Sequence, residues 1–217
     1  MPRRDVTVVC ALALLTAVLF VLVAIPATLA RIQRIDGWFL RQMVSIRSGP
    51  LTDLARIFNF LGLVEVTLPV RIAIAVFLGI RRRWWHLTAF ASAIVLSEAL
   101  IAPLKDVYDR PRAPGSLVLT TGGSFPSGHA VAASVTVVAA VIALFPEGPR
   151  RYVWGAAAVA FSLLMGLSRA YLAAHWLSDA VGGVLLGTTV ALGTALLVHV
   201  IRERRAGRLP PAMASPG

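Results

Sequence analysis

The sequence is poor in charge and in cysteine. Charged residues make up 14% of its 217 positions, whereas an ordinary soluble domain carries roughly 25%, so the composition argues against a water-soluble globular protein. The single cysteine, Cys10, rules out an intramolecular disulfide and a metal site built from cysteines. Acidic residues number 10 against 21 basic ones, a net charge of +11. The basic residues form short clusters at the ends of apolar runs, which is typical of membrane anchors and gives no reason to expect a nucleic-acid partner.

Apolar residues account for 58% of the chain, and they are gathered in long runs. Because about 20 apolar residues are needed to cross the hydrocarbon core of a bilayer, the sequence predicts an all-α, polytopic membrane protein with six transmembrane helices. We expect one domain over residues 1–201 and a cytoplasmic, disordered tail over 202–217. The predicted runs are 6–30, 60–80, 86–104, 129–145, 152–172 and 180–201.

The first run has some features of a secretory signal, since it follows Arg3 and Arg4 and ends in small residues. Its apolar part is longer than the 7–15 residues of such a signal, so a membrane anchor is favoured. Residues 31–58 mix apolar and aromatic residues with arginines around the break Ser48-Gly49-Pro50. This pattern predicts an interfacial amphipathic segment at the outer surface.

Arginine placement predicts the orientation, because short loops rich in Lys and Arg stay in the cytoplasm. Both termini are expected on the cytoplasmic side of the cell membrane. With this orientation eleven arginines lie on the cytoplasmic side. Five lie on the opposite side, not counting the basic residues of the polar segments described in the next paragraph. The eleven are Arg3, Arg4, Arg81, Arg82, Arg83, Arg150, Arg151, Arg202, Arg204, Arg205 and Arg208.

Polar residues that a membrane helix should avoid gather in three segments, 105–112, 123–129 and 168–179. Alternating topology places all three at the outer, extracytoplasmic end of the bundle. The resulting pocket contains several cations, two histidines and a carboxylate at the depth of a lipid headgroup. Cations that donate several hydrogen bonds are suited to a phosphate dianion, and a Pro-Ser-Gly sequence before a helix offers free backbone N–H groups.

Two histidines suggest catalysis in addition to binding. His175 and Asp179 are four residues apart, so on a helix they share a face and the carboxylate can hold the imidazole in one tautomer. His175 is therefore a plausible nucleophile toward phosphorus. His129 is then the candidate acid for the leaving oxygen.

In this order and spacing the three segments resemble the signature of the type 2 phosphatidic acid phosphatase superfamily, which includes vanadium haloperoxidases and glucose-6-phosphatase. The first motif is a Lys followed at the seventh position by Arg-Pro, and the second is Pro-Ser-Gly-His. The third is Ser-Arg, with a His six residues after the Arg and an Asp four residues after that His. Ala113 stands where the family has proline, so we expect Arg112 to be held less rigidly. The matching residues are Lys105, Arg112, Pro126, Ser127, Gly128, His129, Ser168, Arg169, His175 and Asp179.

The resemblance implies His175 as nucleophile, Asp179 as its orienting partner and His129 as general acid. It implies phosphate binding by Lys105, Arg112, Ser127, Gly128 and Arg169. The family works without a metal or other cofactor, and the sequence has no carboxylate cluster for Mg²⁺. The soluble haloperoxidase branch is excluded by the apolar runs. Arg110 lies outside the motif and is expected to be a solvated loop charge.

The sequence therefore predicts a membrane lipid phosphatase acting at the outer leaflet. Phosphatidic acid, phosphatidylglycerol phosphate and a polyprenyl pyrophosphate are all possible substrates, and the oligomeric state is not predicted. A lipid phosphotransferase that uses the same phosphohistidine is an alternative. A non-hydrolytic lipid flippase or anion transporter is another, although the runs lack a polar path to the cytoplasmic face.

A few polar and aromatic residues in the runs receive structural interpretations. Arg71 and Glu98 are expected to form an ion pair, with Glu65 as a competing partner. Interfacial belt positions are predicted for the tryptophans, although one of them, Trp176, also has a place at the substrate entrance. His86 and His199 are given no functional role. The predicted belt residues are Trp38, Trp84, Trp85 and Trp176.

Overall fold

The structure, a computed structural model, describes residues 3–207, and every regular element within that range is a helix. The all-α prediction is confirmed for this part of the chain. The last helix continues past the predicted start of the tail at 202, and residues 208–217 lie outside the described residues. The helices are α1 (Arg3–Ala24), α2 (Pro26–Ser45), α3 (Gly49–Leu61), α4 (Val64–Ile80), α5 (Trp84–Tyr108), α6 (Gly128–Leu144), α7 (Pro149–Tyr171) and α8 (Leu177–Arg205).

Prolines and extended residues divide the N-terminal third. Ile25 is extended (φ −90°, ψ 120°) and Pro26 occupies the first turn of α2, so the first predicted run ends at Ala24 and not at residue 30. Ser48 is also extended, and α3 begins just after it with Pro50 in its first turn. Proline is favoured there because the first N–H groups of a helix have no intrahelical partner. Residues 31–58 thus belong to two helices, α2 and α3.

Several of these helices are long and apolar enough to cross a bilayer. Within residues 3–207 four qualify singly, namely Val6–Ala24 of α1 and the whole of α5, α7 and α8. The pair α3 and α4, bent by 51°, qualifies as a fifth crossing if it is counted as one span, and α6 is a shorter apolar helix. Large apolar side chains stand on the outer surface, among them Leu14, Ile80 and Val95. The chain is a multi-pass membrane protein.

Helix α6 lies at the centre of the bundle and packs against α5, α7 and α8. Val131 and Val135 of α6 are fully buried in a cluster that includes Leu78 of α4 and Phe90 of α5. Helix α8 approaches α6 so closely that a Cβ atom built on Gly183 would lie 2.6 Å from the Ser127 carbonyl oxygen. Glycine at this position lets the beginning of α8 reach the beginning of α6.

The bundle has one basic end and one end that carries the polar segments. At the basic end, Arg83 donates to the Leu144 carbonyl at 3.3 Å, and Arg205 lies 5.8 Å from the Trp85 ring. At the other end, the Ser127 N–H donates to the Asp179 carbonyl at 3.0 Å. Helix α5 therefore runs opposite to α6 and α8, as the polar segments require.

An ion pair lies between these ends. Arg71 of α4 donates to Glu98 of α5 at 2.7 Å and to Thr136 of α6 at 2.8 Å. The predicted pair of Arg71 with Glu98 is confirmed, and Glu98 rather than Glu65 is the partner. Because Arg71 bonds to two neighbouring helices, it fastens α4 to the bundle.

Candidate active site

The loop 109–127 carries two of the polar segments onto the turn between α7 and α8. The Ser124 N–H donates to the Arg110 carbonyl at 2.8 Å, which folds the loop back on itself. The Leu117 N–H donates to the Leu172 carbonyl at 2.9 Å, and this bond ties the loop to the end of α7. Together with the bond from Ser127 to α8, these contacts bring the three polar segments to one site.

His175 lies in the turn before α8 and is 3% exposed. Its Nδ1 is 2.7 Å from the Ser124 carbonyl oxygen, which can only accept a hydrogen bond. Its Nε2 is 3.3 Å from Nη1 of Arg112, which can only donate one. The two contacts define the tautomer. Nδ1 carries the hydrogen, and the lone pair of Nε2 is directed into the site.

The charge state of His175 follows from its surroundings. Burial lowers the pKa of His175 to about 4, and the positive charges of Arg169 and Arg112 act in the same direction. The negative charge of Asp179 opposes this shift but does not cancel it. Since a nucleophilic nitrogen needs an unprotonated lone pair, the neutral imidazole at pH 7 has the form that attack on phosphorus requires.

Asp179, in the first turn of α8, is fully buried. Its Oδ2 is 3.7 Å from His175 Nδ1, which is too far for a hydrogen bond. The carboxylate accepts instead from the Ser124 hydroxyl, from the Trp176 N–H at 2.8 Å and from Arg110 at 2.6 Å. The Ser124 carbonyl is therefore the group that accepts the Nδ1 hydrogen, while Asp179 acts on the imidazole through its charge and by holding Ser124.

Arg110 is the centre of a buried charge network. Its guanidinium is 3% exposed and donates to Asp179 and, at 2.7 Å, to Asp36 of α2. Asp36 also accepts from the N–H of Ser178 at 2.9 Å and from its hydroxyl at 2.6 Å. The expectation that Arg110 is a solvated loop charge is wrong, because the packing of α2 against α8 places a carboxylate on each side of it.

Arg112 is fixed mainly by backbone carbonyls. Its Nε donates to Gly122 at 2.9 Å, its Nη1 to Ala174 at 2.8 Å and its Nη2 to Thr121 at 2.6 Å. Desolvation by burial lowers the pKa of Arg112, and the charge of Asp179 opposes that shift. The expectation of a loosely held Arg112 is therefore wrong, because carbonyls of the loop 109–127 and of the turn before α8 surround the guanidinium.

Lys105 joins Arg112 through a shared acceptor. The Lys105 ammonium donates to the Gly123 carbonyl at 3.2 Å, and Arg112 Nη2 donates to the same oxygen at 3.2 Å. Two cations are thus held on one wall of the site although like charges repel. An anion placed between them would relieve that repulsion.

Besides Nε of Arg110, three buried polar atoms of the site have no hydrogen-bond partner within residues 3–207. They are the Ser127 hydroxyl, Nε2 of His129 and Nε of Arg169. A buried polar atom that stays unpaired costs free energy, so three of them in one site indicate a polar ligand. A phosphate fits, since it accepts hydrogen bonds on every oxygen and the first turn of α6 beside Ser127 presents the positive end of a helix dipole.

Three residues that belong to this site were not predicted. Ser124 and Asp36 bond to the turn that carries His175, and Asn59 of α3 accepts a hydrogen bond from Arg169 Nη1. Residues 31–47 contain four arginines and a single acidic residue, Asp36, and Asn59 is the only asparagine in the sequence. These isolated residue types were the available signals, but neither indicates which distant residue it meets.

The surroundings of the site complete the description. An apolar groove of about 160 Å³ runs between α3 and α7 beside Ser168 and is lined by Leu54, Phe58, Leu164 and Leu167 among others. Within residues 3–207 no three His, Cys, Asp or Glu side chains lie close enough together to hold a metal ion. The groove lies one residue along α7 from Arg169 of the site, and an apolar groove near a cationic site is suited to an amphiphilic phosphate.

Comparison with known proteins identifies relatives of this chain. A model of the PAP2 superfamily matches residues 83–203, more than half of the chain. Phosphatidylglycerophosphatase B of Bacillus subtilis (strain 168) is 28% identical over 174 residues, which are 77% of this chain and 85% of that protein.

Two solved structures share the fold. The crystal structure of a transmembrane PAP2 type phosphatidylglycerolphosphate phosphatase from Bacillus subtilis superposes with a TM-score of 0.77 at 24% identity, covering 90% of this chain and 96% of that one. The crystal structure of Aquifex aeolicus LpxE superposes with a TM-score of 0.59 at 24% identity, covering 71% and 91%.

Proposed function

This chain belongs to the PAP2 superfamily, and from that membership and the geometry of the site we propose that it is a membrane phosphatase that removes phosphate from a lipid phosphate or pyrophosphate. The observation that carries the proposal is the unprotonated Nε2 of His175, which lies beside Arg112 in a site where buried polar atoms of His129 and Arg169 have no hydrogen-bond partner among residues 3–207. The apolar groove beside Ser168 accommodates an acyl or prenyl chain.

The first step is phosphoryl transfer to His175. The Nε2 lone pair attacks phosphorus, a P–N bond forms, and the P–O bond to the lipid breaks with its electron pair moving to the lipid oxygen. His129, which takes up a proton when the bound phosphate dianion offsets the surrounding cations, gives that proton to the lipid oxygen, so the lipid leaves as an alcohol, or as a monophosphate if the substrate is a pyrophosphate. Lys105, Arg112 and Arg169 stabilise the charge on the transferring group.

The second step is hydrolysis of the phosphohistidine. Water attacks phosphorus, His129 accepts its proton, and the P–N bond breaks with its electron pair returning to Nε2. Inorganic phosphate is released, and both histidines regain their starting states. Throughout, Nδ1 keeps its hydrogen and donates it to the Ser124 carbonyl, and the charge of Asp179 stabilises the positively charged phosphoimidazole. No step requires a metal ion.

The same proposal includes the topology. Helices α1, α4, α5, α6, α7 and α8 cross the membrane, α2 and α3 lie at the outer interface, and both termini are cytoplasmic. The basic end of the bundle then faces the cytoplasm, as the distribution of arginines requires. The site opens toward the outer leaflet. Cysteine substitutions at exposed Arg82 and Thr121 in a Cys10→Ala background, labelled with a membrane-impermeant thiol reagent in intact cells, test this, because only the cysteine at 121 should react.

The deciding experiment is phosphate release by the purified protein in detergent, with EDTA present. The panel contains phosphatidylglycerol phosphate, phosphatidic acid and a polyprenyl pyrophosphate, the first suggested by the name of the Bacillus relative. We expect His175→Ala to lose on the order of 10³-fold or more in turnover. His86→Ala, at the opposite end of the bundle, is the matched control. Near-normal release by His175→Ala would refute the assignment of the nucleophile.

The same assay separates the alternatives. A phosphotransferase would release little inorganic phosphate until an acceptor lipid is added, whereas a phosphatase needs only water. A flippase or anion transporter would release none under either condition. Rapid quenching with a radiolabelled lipid phosphate should trap acid-labile label on the wild-type protein and none on His175→Ala.

A further inference from the structure

Helix α3 contributes to the site a residue that lies outside all three polar segments. Asn59 is in the last turn of α3, and its Oδ1 accepts a hydrogen bond from Nη1 of Arg169 on α7. Gly62, which caps the end of α3, lies against the imidazole of His129 on α6. The end of α3 therefore contacts both a cation of the site and the proposed acid.

The chain just after Asn59 is pressed against the same imidazole. A Cβ atom built on Gly62 would lie 2.5 Å from Cδ2 of His129 and 3.2 Å from Cε of Met165. Any side chain at 62 would have to displace the ring or the methionine. The turn between α3 and α4 is therefore shaped as a wall of the site, and it holds Asn59 at a fixed distance from His129.

Asn59 distinguishes Arg169 from two other buried arginines, Arg71 and Arg110, which have carboxylate partners. Arg110 is neutralised by Asp36 and Asp179, whereas the guanidinium of Arg169 is held by a neutral amide. An amide orients a guanidinium without cancelling its charge. The full positive charge of Arg169 thus remains for an anionic ligand.

We infer that Asn59 is a positioning residue of the phosphate site, which directs Arg169 at the phosphoryl group and keeps the His129 ring beside it. The inference rests on the proposed function for its ligand, and it assigns α3 a role in catalysis that the sequence did not indicate. Asn59 acts through Arg169, so its effect must depend on Arg169.

A double-mutant cycle tests that dependence. Inhibition or protection by orthovanadate, a phosphate mimic, is measured for the wild type, Asn59→Ala, Arg169→Ala and the double variant, with exposed Asp53→Ala of the same helix as control. We expect Asn59→Ala to weaken vanadate binding about 10-fold or more, the size of a lost hydrogen bond to a charged group. In the Arg169→Ala background the same substitution should cost less than about 2-fold.

Two results would overturn the inference. One is an Asn59→Ala effect as small as that of Asp53→Ala, and the other is an equal effect in both Arg169 backgrounds. If Asn59→Ala does not fold, Asn59→Gln is measured in the same cycle, and its loss must likewise disappear without Arg169. Vanadate binding followed by thermal stabilisation needs no turnover. A wild type that binds vanadate but hydrolyses no lipid phosphate would therefore refute the proposed function and leave Asn59 testable.

Discussion

Replacing Arg110 tests whether the buried charge network holds the catalytic turn together. In Arg110→Ala the side chains of Asp36, which is 1% exposed, and of Asp179, which is fully buried, keep their positions. Both carboxylates lose the guanidinium that neutralises them. Removing one member of a buried ion pair destabilises a protein by about 3–5 kcal/mol, because the remaining charge stays desolvated and unpaired. For a chain of this size that loss corresponds to a fall of roughly 6–20 °C in the unfolding midpoint.

The assay is thermal unfolding in detergent, followed by tryptophan fluorescence. Arg34→Ala is the matched control, because Arg34 is an exposed arginine on α2 two residues from Asp36. Arg112→Ala is the informative comparison. Its guanidinium is bonded to backbone carbonyls and to His175, so its loss leaves no carboxylate unpaired and should reduce activity more than stability.

Two features would confirm the electrostatic origin of the Arg110 effect. The stability deficit should narrow toward acidic pH, since protonation removes the unpaired negative charges. Asp36→Asn should be less damaging than Arg110→Ala, because it leaves Arg110 still paired with Asp179. An unfolding midpoint of Arg110→Ala within about 3 °C of that of Arg34→Ala, equivalent to roughly 1 kcal/mol, would refute the reasoning.

Two further predictions concern pH and helix packing. The pKa of His175 is lowered from 6.5 to about 4, so between these two pH values the unfolded state binds a proton that the folded state does not. The free energy of unfolding should therefore decrease as pH falls from about 6.5 to about 4. His175→Gln should weaken that dependence, and an unchanged pH slope of the unfolding free energy would contradict the assignment. The kcat/KM of the wild type should stay level over most of this range and fall as pH approaches about 4, where the Nε2 lone pair of the folded protein becomes protonated, so a rate that rises toward pH 4 would be inconsistent with attack by His175. Gly183→Ala would place a Cβ 2.6 Å from the Ser127 carbonyl oxygen, so it should lower the free energy of unfolding by about 1–3 kcal/mol and reduce phosphate release. The control is Gly193→Ala on the same helix, where a Cβ would have no atom of the described residues within 4 Å. Equal unfolding midpoints for the two variants would show that the close approach is not required.

The class of the protein and the three polar segments followed from the sequence because both are local properties. An apolar run long enough for a bilayer can be recognised without knowing its neighbours. The order of the three segments along alternating spans places them at one end of the bundle. The ion pair of Arg71 and Glu98 could be predicted in the same way, since a charge inside an apolar run needs a partner at its own depth.

Some local interpretations failed because they ignored distant parts of the chain. Arg110 lies in a polar loop, and polar loops are usually solvated. Its burial depends on Asp36, which is 74 residues away along the chain. The hydrogen that Asp179 was expected to accept goes to a backbone carbonyl, that of Ser124, and a backbone carbonyl leaves no trace in a sequence pattern.

The sequence by itself determined which residue types the site contains and on which end of the bundle they lie. Tertiary structure alone decided how they are paired, through the rotation of each helix about its axis and the path of the loop 109–127. Hydropathy fixes neither, because in a bilayer most helix faces are apolar whichever way the helix turns. Helix packing therefore determined the partners of Arg110, Arg112 and Arg169. By doing so it also determined which of these arginine charges remain available to a phosphate.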